Sequence, residues 1–308
     1  MSNIPITETF KPWSFEFIPS TEEIKYPYFF YMPSVGRDSE VTNVLLWGHG
    51  SYSKGDFDSQ VEHMKDIEGG VPRAIKELCE SKQIACLMPI LPRTRIGGSN
   101  FDTQMLTRST MLFDESCPEF YRRPDIEILK MLNQSKLKMS KTGHKIVDRI
   151  IVGGISAGGG LANRFSLLYP DIVKASAVLL AGDSYPEAEI NGVRVGYPFG
   201  IADIEQIQGQ RFSFAEFKRI KHFIFVGGKD NDPKNNSFSH DLDYDEILGK
   251  RLQPVLGANK VEMFERYVSR LTELGISVTT IKRDDLGHQV DDEIMSQLCG
   301  FIEGALGV

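Results

Sequence analysis

One stretch constrains the fold of this chain more than any other: Arg149-Ile-Ile-Val-Gly-Gly-Ile-Ser-Ala-Gly-Gly-Gly-Leu-Ala-Asn-Arg-Phe-Ser-Leu-Leu-Tyr169. It starts with Ile150, Ile151 and Val152, a β-branched run of the kind that fills a strand buried on both faces. It ends in residues 160–169, where Leu161, Phe165 and Leu168 fall on one side at helical spacing. Between the two lies Gly154-Ile155-Ser156-Ala157-Gly158, a G-x-S-x-G turn flanked by further glycines. A serine on such a strand-to-helix turn sits in strained backbone, and small residues two before and two after it let neighbouring backbone approach closely. The turn lifts the hydroxyl out of the sheet and aims the N-terminus of the next helix at it, where amides can stabilise a developing oxyanion. An incidental serine in a glycine-rich turn, or a phosphate-binding loop, would be the alternatives. The second fails in detail: no lysine follows the glycines as a Walker-type loop requires, and G-x-G-x-x-G is not matched.

The remaining chain alternates strand and helix patterns. Aromatic-rich runs at 13–18 and 26–32 read as a hairpin at a sheet edge, and 41–47 as a buried strand ending in Gly48-His49-Gly50-Ser51. A helix is expected over 70–81, a strand over 84–90, and a helix over 125–140 with Pro124 as its start signal. Further strands are expected at 175–181, 222–226 and 277–281, with helices at 260–274 and 291–305. Strands alternating with helices point to βαβ units and a mostly parallel sheet. Residues 93–124 read as a long irregular loop after a strand's carboxyl end, where such folds line the ligand crevice. Residues 184–219 carry Tyr185, Tyr197, Phe199, Phe212, Phe214 and Phe217 without a strand pattern. They suit an inserted cap whose aromatics either face a pocket or pack the insertion onto the body. No repeat or linker divides the chain, so a single domain over 1–308 is expected.

Strand, G-x-S-x-G turn and helix together resemble the nucleophile elbow of the α/β-hydrolase family. Ser156-Ala157-Gly158-Gly159, with Leu161-Ala162-Asn163-Arg164-Phe165 behind it, resembles the polyhydroxybutyrate-depolymerase-like and feruloyl-esterase-like branch. The wider likeness runs from about residue 41 to about 305. It implies an α/β-hydrolase fold, with a mostly parallel sheet and helices on both faces. It also implies a serine hydrolase whose catalytic residues follow in the order Ser, acid, His, each beyond the carboxyl end of a strand.

A serine hydroxyl is a poor nucleophile at neutral pH until a base accepts its proton, and the base needs an acid to fix its tautomer. Of the six histidines, His63 and His144 lie away from any suitable strand end, His222 begins a strand and His240 sits in a polar loop. His288 follows the last strand, with Gly287 permitting a tight turn, and is the expected base. Asp230, after Gly227-Gly228-Lys229, matches the family's acid position; Asp232 in the same loop and Asp183 after the preceding strand are the alternatives. One oxyanion donor is expected from the Ala157 backbone N–H. His49-Gly50-Ser51 resembles the family's His-Gly-x loop and maps the second donor to Ser51, with Tyr52 as the alternative because no Gly-Gly-Gly follows.

A net charge of -7 argues against nucleic acid or an anionic membrane as the main partner, and no apolar run reaches the length of a membrane span. Cys79, Cys86, Cys117 and Cys299 form no CxxC pair, and an opening without a basic or apolar leader fits a cytoplasmic protein with reduced thiols. The acidic run from Asp241 to Glu246 lacks the glycine and the twelfth-position Glu of a calcium loop, and reads as a solvated face. No metal or organic cofactor is expected. The chemistry implied is attack on a small-molecule or oligomeric carboxylic ester through an acyl-enzyme. A peptidase or acyltransferase with the same residues is the nearest rival, and a non-catalytic binding module on a hydrolase scaffold a more distant one.

Overall fold

Eight strands build the central sheet: β1 (Glu16–Ile18), β2 (Tyr28–Tyr31), β3 (Val44–Gly48), β4 (Ala85–Pro89), β5 (Ile150–Ile155), β6 (Val173–Leu179), β7 (Lys221–Gly227) and β8 (Val278–Arg283). Their spatial order is β1-β2-β4-β3-β5-β6-β7-β8. The computed structural model describes residues 15–33, 41–51, 56–96, 99–113, 115–232 and 246–306. The two pairings at the β1 edge are antiparallel, β1 with β2 (Glu16 opposite Phe30) and β2 with β4 (Tyr28 opposite Pro89). From β4 across to β8 every pairing is parallel. The interior strands β3 to β7 are buried along nearly their whole length, which is why their sequences read as continuous apolar runs rather than as alternating ones.

Helices cover both faces. On one lie α1 (Phe57–Asp66), α2 (Arg73–Ser81) and, from the end of the chain, the closing helix Asp292–Leu306, which pack Met64, Ile75, Leu78 and Ile302 against Leu45, Trp47, Ile151 and Phe225. On the other lie α3 (Pro124–Lys141), α4 (Ala157–Leu168), α5 (Glu246–Leu256) and α6 (Lys260–Glu273). Their Met131, Phe165, Leu252 and Tyr267 meet Leu46, Val152, Val178 and Ile224. Successive strand residues point to opposite faces, so Leu45 and Leu46 serve different layers. The closing helix is α7 (Asp292–Leu306). Removing each such apolar side chain from water stabilises the fold by roughly 1.5–3 kcal/mol.

The expected edge hairpin is present as β1 and β2, and the helix expected from residue 70 starts at Arg73, with Pro72 in non-helical backbone (φ -57°, ψ 145°) at the position before it. α1 and α5 have no counterpart in the sequence reading: α1 buries only Gln60 and Met64, and α5 carries Pro254 inside it. The stretch expected as an irregular loop holds an antiparallel pair, Arg93–Ile96 with Ser99–Asp102, and the helix Arg108–Met111.

Residues 184–219, expected as an inserted cap, contain a small hairpin, Glu189–Ile190 with Val193–Arg194, and two short helices, Ile204–Gln208 and Phe214–Lys218. Tyr185, Tyr197, Phe199 and Phe217 are all buried in the core layer beside α4; Phe214 is 37% exposed. Polar ties fix the segment from several sides. The Tyr197 hydroxyl donates to the Leu106 carbonyl (2.5 Å), Arg108 pairs with Asp203 (2.7 Å), and Arg270 grips Glu187 through two nitrogens (2.7 and 2.5 Å). Every residue of α4 is buried, including Asn163 and Arg164.

Candidate active site

The turn between β5 and α4 positions Ser156. Its φ of 58° and ψ of -115° put a non-glycine residue in positive-φ backbone, a conformation costing roughly 1–3 kcal/mol that persists only where the surroundings enforce it. The Ser156 N–H donates to the Leu179 carbonyl at 2.9 Å, tying the turn to β6, while its own carbonyl accepts from the Gly160 N–H at 2.9 Å to start α4. The flanking glycines are a steric requirement. A Cβ on Gly154 would lie 2.4 Å from the Gly158 carbonyl carbon, and one on Gly158 would lie 2.0 Å from the Gly48 carbonyl oxygen. The helix start is thus pressed directly onto the end of β3.

Two more loops meet the serine there. The loop after β7 and the loop after β8 are joined by backbone hydrogen bonds, Gly228 N–H to the Arg283 carbonyl (2.7 Å) and Lys229 N–H to the Leu286 carbonyl (2.8 Å). Their contact is so close that a Cβ on Gly227 would stand 2.0 Å from the Gly287 carbonyl oxygen. This fixes Asp230 against His288. The His288 Nδ1–H donates to Asp230 Oδ2 at 2.5 Å, and Ser156 Oγ–H donates to His288 Nε2 at 2.9 Å. Asp230 is 2% exposed, so its charge is held with little water to screen it, whereas the His288 side chain is 37% exposed and reachable from solvent. Asp232 is exposed to solvent. Asp183 is buried one strand away, its backbone N–H donating to Asn163 Oδ1 at 3.0 Å.

Ala157 opens α4, and amides of a helix's first turn have no carbonyl partner within the helix. Ser51 is an exposed residue just past β3, and Tyr52 lies outside the described residues. His49 is buried and holds the start of this loop in place. Its Nδ1–H donates to the Gly50 carbonyl (2.7 Å) and its Nε2 accepts the Leu91 N–H (3.3 Å). Those two bonds need the neutral ring, and burial pushes its pKa down to about 4. The sequence offered His49 only as the first residue of the oxyanion loop; its role as a tether across to the end of β4 is a tertiary fact.

No family model matches the sequence, and no curated protein does. Solved structures are similar in three dimensions. A poly(aspartic acid) hydrolase-1 from Sphingomonas sp. KT-1 aligns with a TM-score of 0.54 at 19% identity, over 90% of this chain and 92% of its own. The poly(3-hydroxybutyrate) depolymerase LpqC from Bordetella parapertussis aligns at 0.50 and 14% identity, over 94% and 91%. The fluorophosphonate-binding serine hydrolase F of Staphylococcus aureus aligns at 0.50 and 14% identity, over 97% and 100%. The chain has the α/β-hydrolase fold.

The α/β-hydrolase fold explains why residues 74 and 132 positions apart in the chain converge: 156, 230 and 288 each follow the carboxyl end of a parallel strand, β5, β7 and β8. All three loops therefore rise from one edge of the sheet. A cavity of 190 Å³ lined by Leu168, Ile204, Gln208 and Phe212 lies at the other end of α4, roughly 18 Å along a 12-residue helix from Ser156, and has no part in that edge. Among the described residues no group of three or more His, Cys, Asp or Glu could hold a metal ion, and the acidic run 241–245 lies outside them. Also among the described residues, no helix is long and apolar enough to cross a membrane. Chemically, the arrangement offers a hydroxyl with a proton acceptor in contact, a buried carboxylate to stabilise that acceptor when charged, and helix amides beside the hydroxyl.

Proposed function

We propose that this protein is a serine hydrolase that cleaves a carboxylic ester through an acyl-enzyme. The observation that carries the reading is the unbroken hydrogen-bond chain from Ser156 Oγ through His288 to Asp230. Ser156 attacks the ester carbonyl while His288 Nε2 takes its proton; Asp230 keeps the proton of the free ring on Nδ1 and stabilises the imidazolium. The Ala157 N–H and, from the loop after β3, the Ser51 N–H receive the oxyanion. His288 then gives its proton to the departing alcohol. Water attacks the acyl-enzyme with the same base, releasing the acid and Ser156. The substrate is a small-molecule or oligomeric ester, and neither nucleic acid nor membrane serves as a partner, in keeping with a net charge of -7. Cys79 and Cys86, adjoining thiols in the core, suit a reducing compartment, and we place the protein in the cytoplasm.

Amide cleavage is the second reading, because the same residues serve both reactions and one of the similar structures is a poly(aspartic acid) hydrolase. The test is labelling with a fluorophosphonate probe followed by a matched panel of p-nitrophenyl esters and anilides. Wild-type protein is expected to label and to favour the esters; Ser156→Ala is expected to lose labelling and keep its melting temperature. Undiminished labelling of Ser156→Ala would overturn the assignment, and anilide cleavage at ester-like rates would select the second reading.

A further inference from the structure

We infer that Arg283 is a positioning residue for the base of the triad: its guanidinium ties together the two ends of the loop that carries His288. The inference rests on the assignment of His288 as that base. Arg283 is the last residue of β8, and the loop after it, 284–291, leads into α7. Its Nε and Nη2 donate to Asp285 Oδ1 (2.9 Å) and Oδ2 (2.8 Å), a two-pronged contact on the near side of the loop. Its Nη1 donates to Glu293 Oε2 at 2.6 Å and lies 3.5 Å from Asp291 Oδ2, on the far side. Asp285 and Asp291 stand three residues before and three residues after His288, so the clamp closes the neck of the loop. Asp291 is itself fixed to the helix, its Oδ1 accepting the Ile294 N–H at 2.9 Å. The backbone of Arg283 works in the same place. Its carbonyl accepts the N–H of Gly228 (2.7 Å), from the loop of Asp230, and that of Leu286 (3.2 Å), from the loop of His288. One residue therefore joins the acid's loop, the base's loop and the start of α7.

The loop is packed unevenly. Toward β7 it is in firm contact, where a Cβ on Gly227 would meet the Gly287 carbonyl oxygen at 2.0 Å. At Gly287 itself, apart from its chain neighbours, no atom of the described residues lies within 4 Å of the place a Cβ would take. The turn that presents His288 is open there and depends on how its ends are held. Charge makes the clamp necessary. Asp285, Asp291 and Glu293 converge on one guanidinium, and Asp284 and Asp292 adjoin them in the chain. Without that cation the three carboxylates would repel one another across the neck. Lys282, the neighbouring cation on β8, is engaged with Glu265 of α6 at 2.7 Å. The hydrogen bonds from Arg283 hold the Asp285 carboxyl down to about 2, so it stays ionised. A single exposed ion pair contributes little to stability, but a two-pronged arginine in a network fixes geometry. The effect should therefore fall on the rate. Both contacts of the ring, 2.5 Å to Asp230 and 2.9 Å to Ser156, depend on where the loop holds it, and a displacement of about 1 Å costs on the order of a hundredfold.

The test compares Arg283→Met with Lys282→Met, the neighbouring lysine standing for an ordinary surface ion pair. Each is measured for kcat and KM on a p-nitrophenyl ester and for melting temperature. Proton NMR follows the far-downfield signal of the His288 Nδ1–H held against Asp230. Arg283→Met is expected to lose about ten- to a hundredfold in kcat with KM within about twofold, and to weaken or lose the downfield signal. It should melt within about 3 °C of the wild type. Lys282→Met is expected to keep wild-type values in all four. Arg283→Lys keeps the charge but not the fork, and should retain only part of the rate. If Arg283→Met fails to fold, Asp285→Ala, at an exposed position, takes its place and should lose about tenfold in kcat with the same spectral change. A folded variant with wild-type kcat and an undiminished downfield signal overturns the clamp. So does an equal loss in Lys282→Met, or a loss confined to KM. A wild-type protein that does not label with a fluorophosphonate overturns the functional reading beneath it instead.

Discussion

Adding one methyl group at Gly158 should separate the elbow from the end of β3. The new Cβ would stand 2.0 Å from the Gly48 carbonyl oxygen and 2.4 Å from its carbon, where ordinary contact begins at 3.4 Å. Both partners are backbone, so no side chain can rotate aside, and about 1.4 Å must be found by moving the start of α4 away from β3. Such overpacking costs roughly 1–3 kcal/mol. With an unfolding entropy of about 2.1 cal/mol/K per residue, each kcal/mol lowers the melting temperature of 308 residues by about 1.5 °C, which gives a fall of about 2–5 °C. The effect on rate should be larger. Ser156 rides on the same turn, 2.9 Å from His288 Nε2, and a displacement of about 1 Å in such a site costs on the order of a hundredfold. Gly158→Ala should therefore lose at least about a hundredfold in kcat/KM on a p-nitrophenyl ester and label slowly with a fluorophosphonate, while melting only a few degrees early. Ser156→Ala, which removes only a hydroxyl at the cleft, should leave the melting temperature within about 1 °C. A Gly158→Ala variant with wild-type kinetics would refute the close apposition of α4 and β3.

Asp230→Asn keeps the shape of the acid but favours the wrong tautomer of His288, and should lower kcat by up to about four orders of magnitude; Asp232→Asn, at an exposed position, should change it less than about tenfold. Acid should destabilise the protein through His222, which is buried beside Phe217 with neither ring nitrogen hydrogen-bonded among the described residues, and whose pKa burial lowers from 6.5 to about 3. Below pH 6.5 the unfolded chain takes a proton that the folded chain refuses, so stability falls as pH drops from 6.5 towards 3, by about 2 kcal/mol at pH 5. In denaturant titrations His222→Phe should flatten that slope, and an unchanged slope would exclude His222 as its source. Phe217→Ala, in the buried part of the insertion, should cost about 3–5 kcal/mol and leave the acyl-chain preference unaltered; Phe214→Ala, at a partly exposed position, should cost less than about 1 kcal/mol, and a shifted chain-length profile in Phe217→Ala would return that side chain to a pocket-facing role.

Much of the fold was legible because its signals are local. Buried parallel strands must be apolar throughout, so β3, β4, β5 and β7 announce themselves as runs such as Val44-Leu45-Leu46-Trp47. The elbow is legible because a positive φ at Ser156 and backbone contacts on either side permit only small residues at 154 and 158. α1 and α5 escaped notice since one is mostly polar and the other carries a proline, so their helicity rests on docking rather than on propensity. The insertion's aromatics carry no label of direction. Nothing in the order of Tyr185, Tyr197, Phe199 and Phe217 distinguishes a side chain that lines a cleft from one that fills a core.

The sequence by itself determined the strand-turn-helix at Ser156, the succession of strands that places 156, 230 and 288 at one edge of a parallel sheet, and the kinds of group found there. These follow from short-range periodicity and from the few residues a tight turn admits. Only the tertiary structure decided which aspartate meets His288, because Asp230 and Asp232 differ by two residues in sequence but by burial in space. It alone decided that His49 ties the loop after β3 to Leu91, and that His222 is buried with no hydrogen-bond partner among the described residues. Each of these depends on desolvation and on contacts between residues tens of positions apart, and a linear pattern encodes neither.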